Sequence, residues 1–391
     1  MSEPFALPKQ GFVFWPIGSG DSTTIVAKDN DLVMQLDLHH LEKSVKPEEP
    51  EWPLIDALVK LLPKKTEKPY LAVFALTHPD RDHVAGFVEL LKRVCIGEIW
   101  HTPRVFNEYK KDLCDDAKAF KEEAERRSDI TIKNKGIVNS GDRIRIIGHD
   151  DIFFEAPYID FPKQWRTSPG TPVTLLDGVD LTGKFEAFIH APFKDDIGGD
   201  RNNTSLAMQV TLTVAGNVGK ALFFGDREYP NIKRIFDKTK EKKRPECLEW
   251  DIMLTTHHCS KSVMYWQDED QEKETFRKDI MEDFATAMLK GAYLIASCHS
   301  DFSNEDGKNP PHLKARKEYE KIVSAGHFIC THEYPNKKNP EPLKFTVDEN
   351  GIGFNDKRQP SKGPAGLAEA VATARGGTKP PTTQVGFGRK C

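Results

Sequence analysis

Residues 77–86 read THPDRDHVAG and place His78, Asp80, Asp82 and His83 within six positions. Imidazole and carboxylate groups so close together can share a cation. The mixed nitrogen and oxygen set suits zinc, manganese or iron better than calcium or magnesium, which prefer all-oxygen shells. Sulfur is absent from the cluster. His78 and Asp80 can project together from an extended turn, and Asp82 and His83 fall where a helix over 84–94 should begin. The apolar run just before, YLAVFAL at 70–76, reads as a buried strand of parallel type. The cluster then stands at that strand's C-terminal end, where open α/β architectures commonly place their chemistry.

The elements that must hold this loop can be read on both sides of it. GSGDSTTI (18–25) and LVMQLD (32–37) form two strands joined by an Asp-Asn turn. Apolar periodicity predicts helices over 54–62 and 84–94 and a charged helix over 109–127. Within the less regular stretch 128–201, GDRIRIIG (141–148) and IFFEAP (152–157) are strand candidates, and TSPGTPV (167–173) is a Pro- and Gly-rich loop. Further on, NNTSLAMQV (202–210), ALFFGD (221–226) and WDIMLTTHHCSKS (250–262) each join a strand to polar residues able to do chemistry. IASCHSDFSNEDGKNPPH (295–312) is a strand and loop carrying His299, Asn309 and His312.

The pattern T-H-x-D-x-D-H-x-x-G resembles the signature loop of the metallo-β-lactamase fold, in the variant where Asp80 replaces the second histidine. It is similar to the hydrolase domain of the bacterial DNA-uptake channel protein ComEC and to soluble hydrolases that share its motifs, and the other segments follow in that family's order. The resemblance implies an α/β, four-layer αββα sandwich over residues 1–355, within which the irregular pattern of 128–201 reads as an insertion over the active site. It implies one or two divalent ions, zinc or manganese, held by His78, Asp80, Asp82, His83, Asp226 and one of the paired histidines. His257 is favoured as that ligand. Asp226 would bridge two ions, and Asp21, Ser22 and Asp37 would stand behind the ligands or touch substrate.

Asn202, Asn203 and Ser205 stand where classical members carry a further metal-binding histidine, so one ion should bind more tightly than the other. Cys259 replaces the family's glycine; its thiol is inert, crowds the turn or binds metal. For catalysis the resemblance implies metal-assisted hydrolysis without a protein nucleophile. Asp82 would be indispensable, Asp80 would orient the attacking hydroxide, and His258, Lys261 or His312 would neutralise the phosphate or protonate the leaving oxygen. The implied substrate is a phosphodiester, foremost DNA. Two other readings stay open: a small cyclic-phosphodiester hydrolase, and a weakly active metal-containing sensor or effector subunit of a multi-protein complex, for instance in defence.

The remaining sequence bounds these readings. The 391 residues contain seven scattered cysteines with no CxxC, which argues for reduced thiols rather than a disulfide framework. No apolar stretch approaches a membrane span and the start lacks a signal-peptide pattern, so a cytoplasmic enzyme is expected. The net charge of −4 does not itself suggest a nucleic-acid binder. Its distribution is uneven: residues 356–391 carry seven Lys and Arg against Asp356 and Glu369, a net of +5 that leaves −9 elsewhere. That Pro- and Gly-rich tail is expected to be disordered, and either stays solvated or docks nucleic acid or a protein partner.

Overall fold

Phe12 and Phe14 pack to one side of the first strand while Val13 and the following Trp15 pack to the other, and all four are buried. A strand with two apolar faces must lie between two layers. The computed structural model describes residues 5–41, 44, 49–65, 67–107, 113–196, 201–302 and 309–358. By internal packing the chain divides into Met1–Asn355 and Asp356–Cys391, and the basic tail from residue 359 onward lies outside the described residues.

The chain first lays down β1 (Gly11–Phe14), β2 (Thr23–Lys28), β3 (Leu32–Leu36), β4 (Tyr70–Ala75), β5 (Cys95–His101), β6 (Arg143–Ile147) and β7 (Arg166–Thr167). It then crosses to a second sheet with β8 (Pro172–Val173), β9 (Phe185–Ala191), β10 (Ala207–Val214), β11 (Asn217–Phe223), β12 (Trp250–Leu254), β13 (Met288–Ala296) and β14 (Phe328–Cys330). Finally β15 (Leu343–Asp348) and β16 (Gly351–Phe354) return to the first. The first sheet has the order β16-β15-β1-β2-β3-β4-β5-β6-β7, parallel from β3 to β7 and antiparallel elsewhere. The second runs β14-β13-β12-β11-β10-β9-β8, parallel from β11 to β14. β1 is sandwiched between β2 and β15, with Val13 opposite Thr24 on one side and Lys344 on the other. Gly11 permits that closure, because a Cβ there would lie 2.0 Å from the Phe345 carbonyl oxygen.

Three apolar clusters define four layers. The middle one joins the facing sides of both sheets, with Phe12, Phe14 and Met34 against Met208, Val210 and Phe223. The second fills the space between the first sheet and its helices, α1 (Leu54–Leu61), α2 (Phe87–Arg93) and α3 (Asp115–Lys133). There Phe74, Phe87 and Phe120 pack with ring centroids 5.1–5.9 Å apart. The third lies under α4 (Tyr229–Glu241), α5 (Lys278–Ala287) and α6 (Leu313–Ile322) on the outside of the second sheet. The fold is therefore an αββα sandwich. Each fully buried aromatic or branched side chain contributes about 1.5–3 kcal/mol relative to exposure.

Three local expectations need correction. The helix over 84–94 is interrupted, because Gly86 adopts φ +95° and turns its N–H to the Asp116 carboxylate at 2.9 Å. IFFEAP forms no strand: residues Asp150–Phe154 make a 3₁₀ turn that buries Phe153 and exposes Phe154. The charged helix starts at Asp115 and runs past 127 to Lys133, since Arg127 is buried and donates to the Ile96, Gly97 and Arg143 carbonyls. Residues 108–112 lie outside the described residues. The 128–201 region, expected as an insertion, supplies β6 and β7 to one sheet and β8 and β9 to the other. Among the described residues no helix is long and apolar enough to cross a membrane.

Candidate metal centre

Both sheets direct the C-terminal ends of their parallel strands to one edge, and four strand ends deliver the polar residues. After β3 comes Asp37, at φ +55°, whose carboxylate accepts hydrogen bonds from the Thr77 N–H and hydroxyl, each 2.7 Å. After β4 come Thr77, His78, Asp80 and the short helical turn Arg81–Val84 that carries Asp82 and His83. After β11, Gly225 turns at φ +58° beneath Ser205 and Thr77, where a Cβ would meet both side chains at 3.0–3.3 Å, and Asp226 follows. After β12, three residues without glycine adopt the left-handed region in succession: His257 (φ 51°), His258 (φ 51°) and Cys259 (φ 66°). Such conformations cost about 1–2 kcal/mol per residue and collect at functional sites.

His83, Asp226 and His258 come together, with Asp82 beside His258. His83 Nε2 lies 3.2 Å from Asp226 Oδ1 and 3.3 Å from His258 Nε2. His258 Nε2 lies 3.3 Å from Asp82 Oδ2 and 3.4 Å from Asp226 Oδ2. Ligands about 2.0–2.1 Å from a tetrahedral ion stand roughly 3.3–3.4 Å apart, so the contacts among His83, His258 and Asp226 fit a shared metal, with Asp82 joined to them through His258. The far side of each ring agrees. His83 Nδ1 faces Asp37 Oδ2 at 2.8 Å and His258 Nδ1 faces Asp21 Oδ1 at 3.3 Å. The Asp37 carboxylate behind His83 holds the proton on Nδ1 and leaves the Nε2 lone pair for an ion, while Asp21 stands behind His258 at ion-pair distance. Asp21, His83, Asp226 and His258 are all buried. Replacing Asp37 with Asn should weaken metal affinity by about 10–100-fold without moving His83 off the centre, which competition with a chromogenic chelator would measure.

Electrostatics follow from this packing. Burial alone would lower the His83 and His258 pKa values, but Asp226 with Asp37, and Asp226 with Asp21, raise them well above the ordinary histidine range. Burial pushes Asp226 up, yet the charges of His83, His258 and His257 hold it well below the usual carboxylate range. Asp82 is likewise held low against its burial by His258 and His83.

The other expected residues take varied places. His78 is buried, with Nε2 3.6 Å from Asp80 Oδ2 and 3.8 Å from Asp226 Oδ2, and burial lowers its pKa well below the ordinary range. His257, favoured as the ligand from the sequence, is partly exposed and stands 3.7 Å from Asp226 Oδ2, whereas its neighbour His258 enters the tight set. Ser22 accepts a hydrogen bond from the His39 N–H at 2.8 Å and so anchors the chain beyond β3. Asn203 and Ser205 act on the backbone. The Asn203 amide oxygen receives the Glu228 N–H at 3.3 Å, and Ser205 Oγ donates to the Asn202 carbonyl at 2.7 Å.

Lys261 pairs with Glu274 at 3.2 Å. His312 is buried and clamps the histidine turn, its N–H donating to the Cys259 carbonyl at 3.1 Å and its Nδ1 accepting from the Lys261 N–H at 3.2 Å. Asn309 is exposed. The Cys259 thiol is buried in the apolar cluster under α6, and burial pushes its pKa well above the ordinary range.

Three features escaped the sequence reading. Arg201 Nη2 lies 2.8 Å from Asp80 Oδ1. Arg227, beside Asp226, is fully buried, pairs with Asp196 at 2.9 Å and donates to the Ser205 carbonyl. A second group, Glu49, His299 and His332, gathers near the ends of β13 and β14, and there His332 Nε2 accepts the Gly18 N–H at 2.7 Å. A run of ordinary loop residues gives no periodic signal for any of these.

No protein-family model and no curated protein matches the chain. Solved structures similar to it include MEM-A1, a subclass B3 metallo-β-lactamase from a soil metagenome library, with 12% identity over 65% of this chain and 78% of that one and a TM-score of 0.32. The class B3 di-zinc metallo-β-lactamase LRA-12 from an Alaskan soil metagenome matches at 11% identity over 73% and 92%, TM-score 0.30. Unliganded yeast PDE1 matches at 10% identity over 82% and 97%, TM-score 0.36.

Proposed function

We propose that the protein is a metal-dependent hydrolase whose substrate is a phosphodiester, with DNA as the first class to test. The observation that carries this reading is the convergence of the His83 and His258 Nε2 atoms with the Asp226 carboxylate, and of Asp82 with His258, at distances near those between the ligands of one ion. A divalent ion held there supplies an electrophile and lowers the pKa of a coordinated water towards about 7. The chain's own groups do the rest. Asp37 fixes the His83 tautomer from behind, and Asp21 adds its charge behind His258. Asp80, whose pKa burial raises, stands beside the ligand set to take a proton from an attacking water. His257, at the partly exposed mouth of the cluster, is placed to give one to a leaving oxygen. The T-H-x-D-x-D-H loop supports the phosphodiester class through its likeness to the uptake-channel hydrolases.

The test is degradation of linear, circular and single-stranded DNA, and of a cyclic dinucleotide, by metal-free protein resupplied with Mn²⁺, Zn²⁺ or Mg²⁺. Cleavage of DNA that disappears in His83→Ala is the expected result. Turnover of the cyclic dinucleotide alone would move the substrate to small phosphodiesters, and silence on every substrate with metal bound would favour a sensor or effector role.

A further inference from the structure

The centre is lopsided. Around the tight set the ligand atoms stand 3.2–3.4 Å apart, whereas the atoms a second ion would need are looser. His78 Nε2 is 3.6 Å from Asp80 Oδ2, and His78 and His257 approach Asp226 Oδ2 only to 3.8 and 3.7 Å. Asn202 and Asn203 stand just ahead of β10. Asn203 is engaged with Glu228 and Asn231, and the residue just before the pair, Arg201, reaches Asp80 Oδ1 at 2.8 Å with its side chain only 12% exposed.

Its position is built rather than incidental. The Arg201 carbonyl accepts the Thr204 N–H at 3.1 Å, Ser205 Oγ closes the same turn, and the Ser205 carbonyl is held by the buried Arg227 next to Asp226. The turn that carries Arg201 is therefore tied to the residue that anchors the metal set. Charge closes the argument. Asp82 and Asp226 bring two negative charges to one divalent ion, and Asp21 and Asp37 are engaged with the ring nitrogens behind it. Asp80 already has its counter-charge in a guanidinium that no accessible pH removes. A second divalent ion beside Asp80 would meet that fixed cation at close range.

We propose that this protein binds a single divalent ion, in the set Asp82, His83, Asp226 and His258, and that Arg201, paired with Asp80, takes the place of a second ion. This deepens the hydrolase reading and rests on it. A guanidinium there offers a substrate phosphate two parallel donors next to the ion.

Equilibrium dialysis of metal-free protein against Zn²⁺ or Mn²⁺, with elemental counting, tests the proposal without any substrate. One ion per chain is expected for the wild type, for Asp80→Asn and for Arg201→Lys, and two for Arg201→Ala. Two ions on the wild type, with one lost in Asp80→Asn, would overturn the proposal while leaving the hydrolase reading intact. A single ion on Arg201→Ala would overturn the role given to Arg201. No ion on any variant would remove both readings together. The wild-type count decides the matter even if a variant folds poorly.

Discussion

Asp226→Ala should lose bound metal and turnover together. Its two oxygens are the common neighbours of His83 at 3.2 Å and His258 at 3.4 Å, with His257 and His78 next at 3.7 and 3.8 Å. No other carboxylate touches so much of the centre among the described residues. Removing one partner of a buried charge costs about 3–5 kcal/mol, roughly two to three and a half decades in an equilibrium constant. Metal affinity should fall by that amount, and activity at micromolar metal with it. Asp226→Asn separates charge from shape, because it keeps the volume and one oxygen but not the second anionic one. Elemental analysis beside initial rates would check both variants, and retention of stoichiometric metal by Asp226→Ala would sink the ligand assignment.

Metal affinity should fall steeply as the pH drops, and the ion should stabilise the fold more at high pH than at low. Because His83 and His258 have raised pKa values in the folded, metal-free protein, the folded state binds more protons than the unfolded one above the ordinary histidine pKa of about 6.5. Their contribution to stability is fully present below about 6.5 and is lost as pH rises through the raised values. Asp82 and Asp226 act in the opposite sense. Their depressed values add stability above the usual carboxylate pKa of about 4 that is lost as pH falls.

An ion needs both Nε2 lone pairs, so protons held by the His83 and His258 imidazoles leave on binding, up to about two, and the affinity can change by as much as roughly 100-fold per pH unit. Thermal unfolding between about pH 6 and 9, with and without Zn²⁺ or Mn²⁺, reads the expected divergence of the two Tm curves. Calorimetry in buffers of different ionisation heat counts the protons. An affinity flat across that range would mean that both imidazoles are already neutral.

Much of the architecture was legible because each side chain's burial is written in its neighbours. YLAVFA is apolar at every position, and β4 proves buried at every position; the ligand loop follows it directly, since a parallel strand leads its chain out at one edge. The break at Gly86 was not legible: a lone glycine in a helical pattern is usually tolerated, and only the Asp116 carboxylate, 30 residues on, makes the turn worthwhile. The choice between His257 and His258 could not be made from spacing either. In a helix or strand, adjacent residues face apart, but which one faces the centre depends on the left-handed backbone of all three residues from His257 to Cys259. Arg201 was missed for a related reason. An arginine in a polar loop has no address in sequence, and it acquires one only when Ser205 is tied to Arg227.

The hairpin β15–β16 has a consequence for how the chain comes into being. Every side chain placed at the metal centre lies before it, yet β1 pairs with β15 along Gly11–Phe14, so the first sheet lacks its closing neighbour until Leu343–Asp348 has been made. Until then β1 presents an open edge, with Phe12 and Phe14 lacking Phe345. Exposed strand edges invite pairing with other chains. A nascent or prematurely terminated product ending before Leu343 would thus carry a complete set of ligands on an aggregation-prone scaffold, and its fate would be decided by chaperones and proteases rather than by its metal.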